Sequence, residues 1–196
     1  MSVAIIDYNA GNFRSVLFAM ERLGVTAVLT DDPARIAEAD KVIFPGVGEA
    51  STTMKYLREN KLDELIRSLT QPVLGICLGM QLLCRHSEEG NTSCLDIIPL
   101  QVRRFQPSDS SQKVPHMGWN AITGLKAGLF DDSLENQYVY FVHSYYVEQG
   151  AYTTASCDYV LPFSAALQKD NFYATQFHPE KSGSIGERIL QNFLSL

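Results

Sequence analysis

Residues 73 to 81 read Val-Leu-Gly-Ile-Cys-Leu-Gly-Met-Gln, a single cysteine held between two glycines at the seam of two apolar segments. Val73, Leu74 and Ile76 have the continuous apolar character of a buried strand, and Met80 to Leu83 begin a packed helix. Gly75-x-Cys77-x-Gly79 is therefore the cysteine form of a nucleophile elbow. In such a turn the nucleophile occupies strained backbone at a strand-to-helix junction, and the glycines on either side keep neighbouring backbone clear of it. A thiol placed there meets the positive end of a helix, which favours the thiolate.

The first half of the chain supplies the sheet that such a junction needs. Val3 to Ile6 form a short apolar run. Phe13, Val16, Leu17, Met20 and Leu23 then recur at helical spacing, and Gly24 is the C-terminal stop. Val25 to Leu29 make a second strand, Asp31, Asp32 and Pro33 open a short helix, and Val42 to Phe44 make a third strand. A helical stretch from about Thr52 to Leu69 leads back to the elbow. Strands alternating with helices of this length imply a mostly parallel sheet with right-handed crossovers. The second half changes character: Val102 to Phe105, Tyr138 to Val147, Ala151 to Cys157 and Phe172 to Phe177 are rich in β-branched and aromatic residues. These form either an antiparallel extension or a second, partly separate sheet. Ile185 to Leu194 close the chain as an amphipathic helix, and Gln106 to Lys113 read as an exposed loop.

With 196 residues, 45% of them hydrophobic, the chain suits one globular domain over 1–196. A formal net charge of -6 argues against a general nucleic-acid or anionic-membrane binder. No apolar run approaches membrane-spanning length, and Asp7 interrupts the N-terminal apolar stretch too early for a signal peptide. Four cysteines without a C-x-x-C pair suggest neither a zinc site nor a disulfide framework and fit a reducing, cytoplasmic setting. No metal and no cofactor is expected.

Gln176-Phe177-His178-Pro179-Glu180 supplies what Cys77 lacks. Pro179 stiffens the backbone so that His178 and Glu180 point the same way, and a carboxylate beside an imidazole fixes its tautomer and stabilises the imidazolium. Taken alone, His178 reads as a strand-end histidine capping a carbonyl. Pro45-Gly46-Val47-Gly48 follows the third strand, where the N–H groups around Val47 and Gly48, with that of Leu78, can meet a developing oxyanion. A Gly-x-Gly turn is by itself usually just a turn. It lacks the Gly-x-Gly-x-x-Gly fingerprint, so dinucleotide binding is rejected.

Together, Gly75-Ile-Cys77-Leu-Gly-Met-Gln81 and His178-Pro-Glu180 resemble the class I glutamine amidotransferases, which share a Cys-His-Glu triad. Within them the chain is similar to the branch that forms the glutaminase subunit of imidazole glycerol phosphate synthase. That closer resemblance is carried by Asp7 to Asn12, Pro45 to Gly48, Ser87-Glu88-Glu89-Gly90, Pro115-His116-Met117-Gly118-Trp119-Asn120 and Tyr140 to Tyr145. It covers essentially the whole chain.

The resemblance implies an open three-layer α/β sandwich with a mostly parallel central sheet and an antiparallel extension. It implies that Cys77 attacks glutamine, that His178 shuttles the proton and that Glu180 orients it. It further implies that Gln81, Glu89, Ser144 and Tyr145 hold the amino-acid end of glutamine. Without the family, Glu89 reads as an ordinary acidic loop with Glu88. The implied partner is a (β/α)8-barrel cyclase that receives the ammonia, forming a heterodimer. Asn12, Met117, Trp119 and Lys181 are the partner-facing candidates, with Trp119 reading equally well as a core anchor. His86, His116 and His143 read as structural or exposed. Two other functions stay open: the glutaminase of a different synthase, such as pyridoxal phosphate synthase, and a catalytically silent binding protein on the same scaffold. Cys94-Leu95-Asp96-Ile97-Ile98-Pro99-Leu100 lacks the glycines usual in the family after the acidic loop, which leaves that turn's conformation open.

Overall fold

A computed structural model describes residues 1–8, 13–109, 112–126 and 128–196. The N-terminal half alternates as the apolar pattern demands: β1 (Val3–Ile6), α1 (Phe13–Arg22), β2 (Ala27–Thr30), α2 (Pro33–Glu38), β3 (Lys41–Gly46), α3 (Ala50–Glu59), α4 (Leu62–Ser68), β4 (Val73–Cys77) and α5 (Leu78–Leu83). Then follow β5 (Cys84–Ser87), β6 (Thr92–Ser93), β7 (Ile98–Arg104), β8 (His116–Ala121), β9 (Tyr138–His143), β10 (Tyr145–Val147), β11 (Thr153–Asp158), β12 (Pro162–Lys169), β13 (Phe172–Thr175) and α6 (Gly183–Ser195).

The local signals act where they are written. Asp32 caps α2 by accepting from the Ala34 N–H at 2.9 Å, with Pro33 at the first helical position. Gly24 ends α1 at φ 73°, where its N–H and that of Val25 donate to the Glu21 and Met20 carbonyls.

Among the described residues one eleven-stranded sheet runs β2-β1-β3-β4-β13-β12-β10-β7-β5-β6, with β11 paired to β12. The segment β2-β1-β3-β4-β13 is parallel throughout, and β13-β12, β12-β10 and β10-β7 continue it antiparallel. Alternate strand residues face opposite cores. Ala4, Ile6, Val42 and Phe44 pack with α2, α3, α4 and α5 on one face. Val3, Ile5, Ile43 and Leu74 pack with α1 and α6 on the other. Each fully buried large aliphatic or aromatic side chain there contributes about 1.5–3 kcal/mol. The result is three layers with the sheet in the middle.

Several sequence expectations need correction. The helical stretch from Thr52 to Leu69 is two helices, because Lys61 turns left-handed at φ 56° between them and redirects Leu62 and Ile66 onto the sheet. The run from Tyr138 to Val147 is two strands belonging to different sheets. Its first part, β9, pairs with β8 in a two-stranded sheet, and its second, β10, enters the main sheet. Both readings of the second half thus hold at once, an antiparallel extension and a separate ribbon. The strands β5, β6, β8 and β12 carry too little β-branched character to stand out. Where the family's glycines are missing, Asp96 takes the left-handed conformation at φ 51°. The N–H groups of Leu95, Asp96 and Ile97 then donate to the Leu82, Cys84 and Leu83 carbonyls. The turn from Asp7 to Asn12 lies outside the described residues from residue 9 onward.

Packing around the elbow leaves no room for a side chain. A methyl group on Gly79 would strike the carbonyl oxygen of Phe44 on β3, so α5 is seated directly on backbone. Gly79→Ala should therefore lower the free energy of unfolding by about 2–3 kcal/mol. Gly24→Ala, where the added methyl meets nothing within 4 Å, should cost about 1 kcal/mol from its backbone conformation alone. Urea denaturation of both variants decides it: equal, mild losses would show that the seating of α5 on β3 does not require glycine.

Candidate active site

Cys77 closes β4 with φ 53° and ψ -107°, a combination that L-residues rarely adopt. Its side chain is buried beneath a cavity of about 330 Å³. β13 lies beside β4 in parallel register, with Thr175 opposite Ile76, so the chain leaving β13 delivers Gln176 and His178 to the same end of the sheet as Cys77. Pro179 begins a short turn that brings Glu180 back, and His178 Nδ1 stands 2.7 Å from Glu180 Oε1. Both side chains are almost wholly enclosed, at 2% and 4% exposure. The loop is clamped to β9: the His178 N–H donates to the Tyr140 carbonyl at 2.9 Å, and the Tyr140 N–H donates to Ser182 Oγ at 2.9 Å.

Burial by itself would lower the basicity of His178. The charge of Cys77, its hydrogen bond and the Glu180 carboxylate outweigh it and raise the pKa to about 10. Nδ1 is taken by Glu180, so Nε2 is the nitrogen left for Cys77 and the cavity. A thiolate and an imidazolium so arranged can exchange a proton to become a thiol and a neutral imidazole, and back again.

The residues expected from the sequence gather here. Val47, Gly48, Leu78, Gln81, Glu89, Ser144 and Tyr145 all line the cavity with Cys77 and His178. Glu89 accepts the Ala50 N–H at 2.8 Å, at the start of α3. Burial raises its pKa in spite of that bond. Gln81 gives one amide hydrogen to the Tyr145 carbonyl at 3.0 Å and one to Gln176 Oε1 at 3.0 Å. Only its oxygen is left for a ligand. Tyr8 is buried behind the turn that follows β3, and its hydroxyl donates to the Pro45 carbonyl at 2.6 Å.

The partner-facing candidates lie elsewhere. Met117 and Trp119 are 63% and 55% exposed on the outer face of β8, with Tyr138 at 59% on β9, so the core-anchor reading of Trp119 fails. Alternation along the ribbon sends His116 and His143 inward instead. Lys181 is exposed next to Glu180. Asn12 lies outside the described residues. Among those residues no cluster of three His, Cys, Asp or Glu side chains could hold a metal ion, and no helix is long and apolar enough to cross a membrane.

Sequence reasoning missed the way His116 and His143 are joined. His143 Nδ1 lies 2.7 Å from the Tyr145 carbonyl, which only accepts, so this nitrogen carries the hydrogen. Nε2 of His143 then accepts from His116 Nδ1 at 3.0 Å. Both rings are neutral: burial lowers the pKa of His116 to about 4 and that of His143 to about 3. The only sequence signal was two histidines in facing segments.

A family model described as "Glutamine amidotransferase class-I" matches residues 4–196. The chain is 62% identical over 196 residues to the imidazole glycerol phosphate synthase subunit HisH of Bacteroides fragilis, and 61% identical to that of Bacteroides thetaiotaomicron. Both alignments cover the whole of each chain. The corresponding Yersinia pseudotuberculosis protein is 47% identical, again over the full length of both. Among solved structures, a glutamine amidotransferase superposes with a TM-score of 0.74 at 19% identity, covering 98% of this chain and 97% of that one. Another, from Thermotoga maritima, superposes with a TM-score of 0.64 at 16% identity, covering 100% of this chain and 83% of that one. These two likenesses support the fold.

The neutral histidine pair makes stability depend on pH with a definite sign. Below about pH 6.5 the unfolded chain takes up protons on these two rings and the folded chain does not, so stability falls as pH drops. His178 adds no slope there, because its raised pKa acts between about 6.5 and about 10. Each buried ring should contribute up to about 1.4 kcal/mol per pH unit between pH 6.5 and 5. His143→Asn, which keeps a donor for the Tyr145 carbonyl, should remove one such share from the slope measured by urea denaturation. An unchanged slope would show that His143 titrates normally in the fold.

Proposed function

Because the chain belongs to the glutamine amidotransferase class-I family and matches HisH subunits along its whole length, we propose that residues 1–196 form the glutaminase unit of an imidazole glycerol phosphate synthase in histidine biosynthesis. One observation carries the catalytic reading: a single buried imidazole lies between a carboxylate at 2.7 Å and the strained cysteine of the elbow.

The geometry suggests how the residues divide the work. Cys77 thiolate attacks the side-chain amide carbon of glutamine, and the oxygen of the tetrahedral adduct is met by N–H groups of Leu78 and of the turn at Val47 and Gly48. His178 gives its proton to the departing nitrogen, so ammonia leaves and a thioester remains. The now neutral imidazole takes a proton from water, the hydroxide attacks the thioester, and glutamate departs as the thiolate is restored. Glu180 stabilises the imidazolium at both stages. Glu89 and the Gln81 oxygen suit the substrate's α-ammonium. The substrate's α-carboxylate only accepts, so it falls to the donors of that corner, the Ser144 hydroxyl and neighbouring N–H groups.

The ammonia then goes to a partner, which we read as the (β/α)8-barrel cyclase of the same synthase. The ribbon of β8 and β9 offers it an outward apolar face, Met117, Trp119 and Tyr138, while Val142 of the same ribbon lines the catalytic cavity. Lys181 lies beside the triad on the exposed side, and Asn12 is a further candidate. The four cysteines are free and buried, in keeping with a reducing cytoplasm.

With the cyclase present, Cys77→Ala should abolish product formation from glutamine and leave formation from added ammonium intact. Following glutamate release and cyclised product in parallel tests this. Continued glutamine hydrolysis by Cys77→Ala would remove Cys77 from its role.

A further inference from the structure

Gln176 is completely buried beside Cys77 and belongs neither to the triad nor to the lining of the cavity. Its amide lies between two partners: Oε1 accepts from Gln81 Nε2 at 3.0 Å, and Nε2 lies 3.8 Å from Cys77 Sγ. The direction of this amide is set from a distance. The Tyr145 carbonyl can only accept, so Gln81 must turn its NH2 toward it at 3.0 Å. The second hydrogen of that NH2 requires an oxygen from Gln176, and the nitrogen of Gln176 is thereby directed at the sulfur. The same carbonyl accepts from His143 at 2.7 Å, which ties the amide chain to the ribbon of β8 and β9.

We propose that Gln176 is a positioning residue for the nucleophile, an N–H donor that holds the Cys77 sulfur in its anionic form and fixes where its lone pairs point. The sulfur has two polar neighbours of opposite kind. The Val142 carbonyl, 3.9 Å away, can accept from a thiol but offers nothing to a thiolate. The Gln176 N–H is a weak partner for a thiol and a charge-assisted one for a thiolate, so ionisation shifts the sulfur from the first to the second. With one lone pair of the sulfur held by Gln176, the others are left to His178 and the substrate carbon. This role presupposes Cys77 as the nucleophile proposed above.

The test is the pH profile of Cys77 alkylation by iodoacetamide in the full-length chain, with the modified residue identified by mass spectrometry. Gln176→Met removes both polar ends at similar volume. Gln176→Glu keeps an oxygen for Gln81 and sets a second oxygen against the sulfur. Loss of a charge-assisted donor should move the profile to higher pH by about one unit or more, and further in Gln176→Glu than in Gln176→Met. The turnover number for glutamine should fall about tenfold or more, with KM changed less than about threefold. An unmoved profile in a variant that keeps the parent's circular dichroism would overturn the proposal. Should neither variant fold, the unsubstituted 15N-labelled chain decides. The Gln176 side-chain amide proton should move downfield as Cys77 ionises and stay still in Cys77→Ala, and a resonance indifferent to Cys77 would refute the role. Hydrolysis persisting in Cys77→Ala defeats the nucleophile assignment instead, and the alkylation profile still reports on the Gln176 contact.

Discussion

The parallel pairing of β4 with β13 holds the site together. These strands are far apart in sequence, yet their register sets Thr175 opposite Ile76, so the residues leaving both strands emerge together. Cys77 comes from one side, and Gln176, His178 and Glu180 come from the other. Neither segment could assemble the site alone. The elbow supplies a thiol on strained backbone, and the end of β13 supplies an amide, an imidazole and a carboxylate. Open α/β sheets place ligands at the carboxyl ends of their strands, and here two neighbouring ends serve one cavity.

Burial acts on three histidines of this region with opposite outcomes. His116 and His143 are enclosed with neutral partners, so desolvation dominates and both stay uncharged far below neutral pH. His178 is enclosed too, but with the sulfur and the Glu180 carboxylate beside it, and charge overrides desolvation. The neutral pair has a directional use that a charged pair would lose. Its hydrogens run toward the Tyr145 carbonyl, and that carbonyl orients Gln81 and through it Gln176. The inner face of the ribbon and the sulfur of Cys77 are thus joined by one chain of hydrogen bonds.

Much of this was legible because the relevant signals are local. The glycines around Cys77 and the proline between His178 and Glu180 are marks of backbone geometry, and the apolar periodicity of the first half fixed a mostly parallel sheet. What was not legible depends on pairing. Tyr138 to Val147 has one composition throughout, and only the fold reveals that Ser144 divides it between two sheets. The small side chains of Ser164, Ala165 and Ala166 hide β12, because they are chosen to let neighbouring layers approach rather than for strand propensity. Trp119 has the composition of a core residue and the position of a surface one, which alternation along β8 decides. Gln176 stood within a recognised motif, yet its use follows from the register of β13 against β4.

His178 owes its charge, on this physical picture, to the sulfur opposite it. Following the His178 ring resonances by NMR against pH, in the parent chain and in Cys77→Ala, tests that dependence. The parent should hold the His178 proton through the neutral range, losing it only toward about pH 10. In Cys77→Ala, with burial no longer opposed by the sulfur's charge, the titration should fall by several units. Indistinguishable curves, or a parent histidine that titrates near its ordinary pKa of about 6.5, would be incompatible with a paired thiolate and imidazolium.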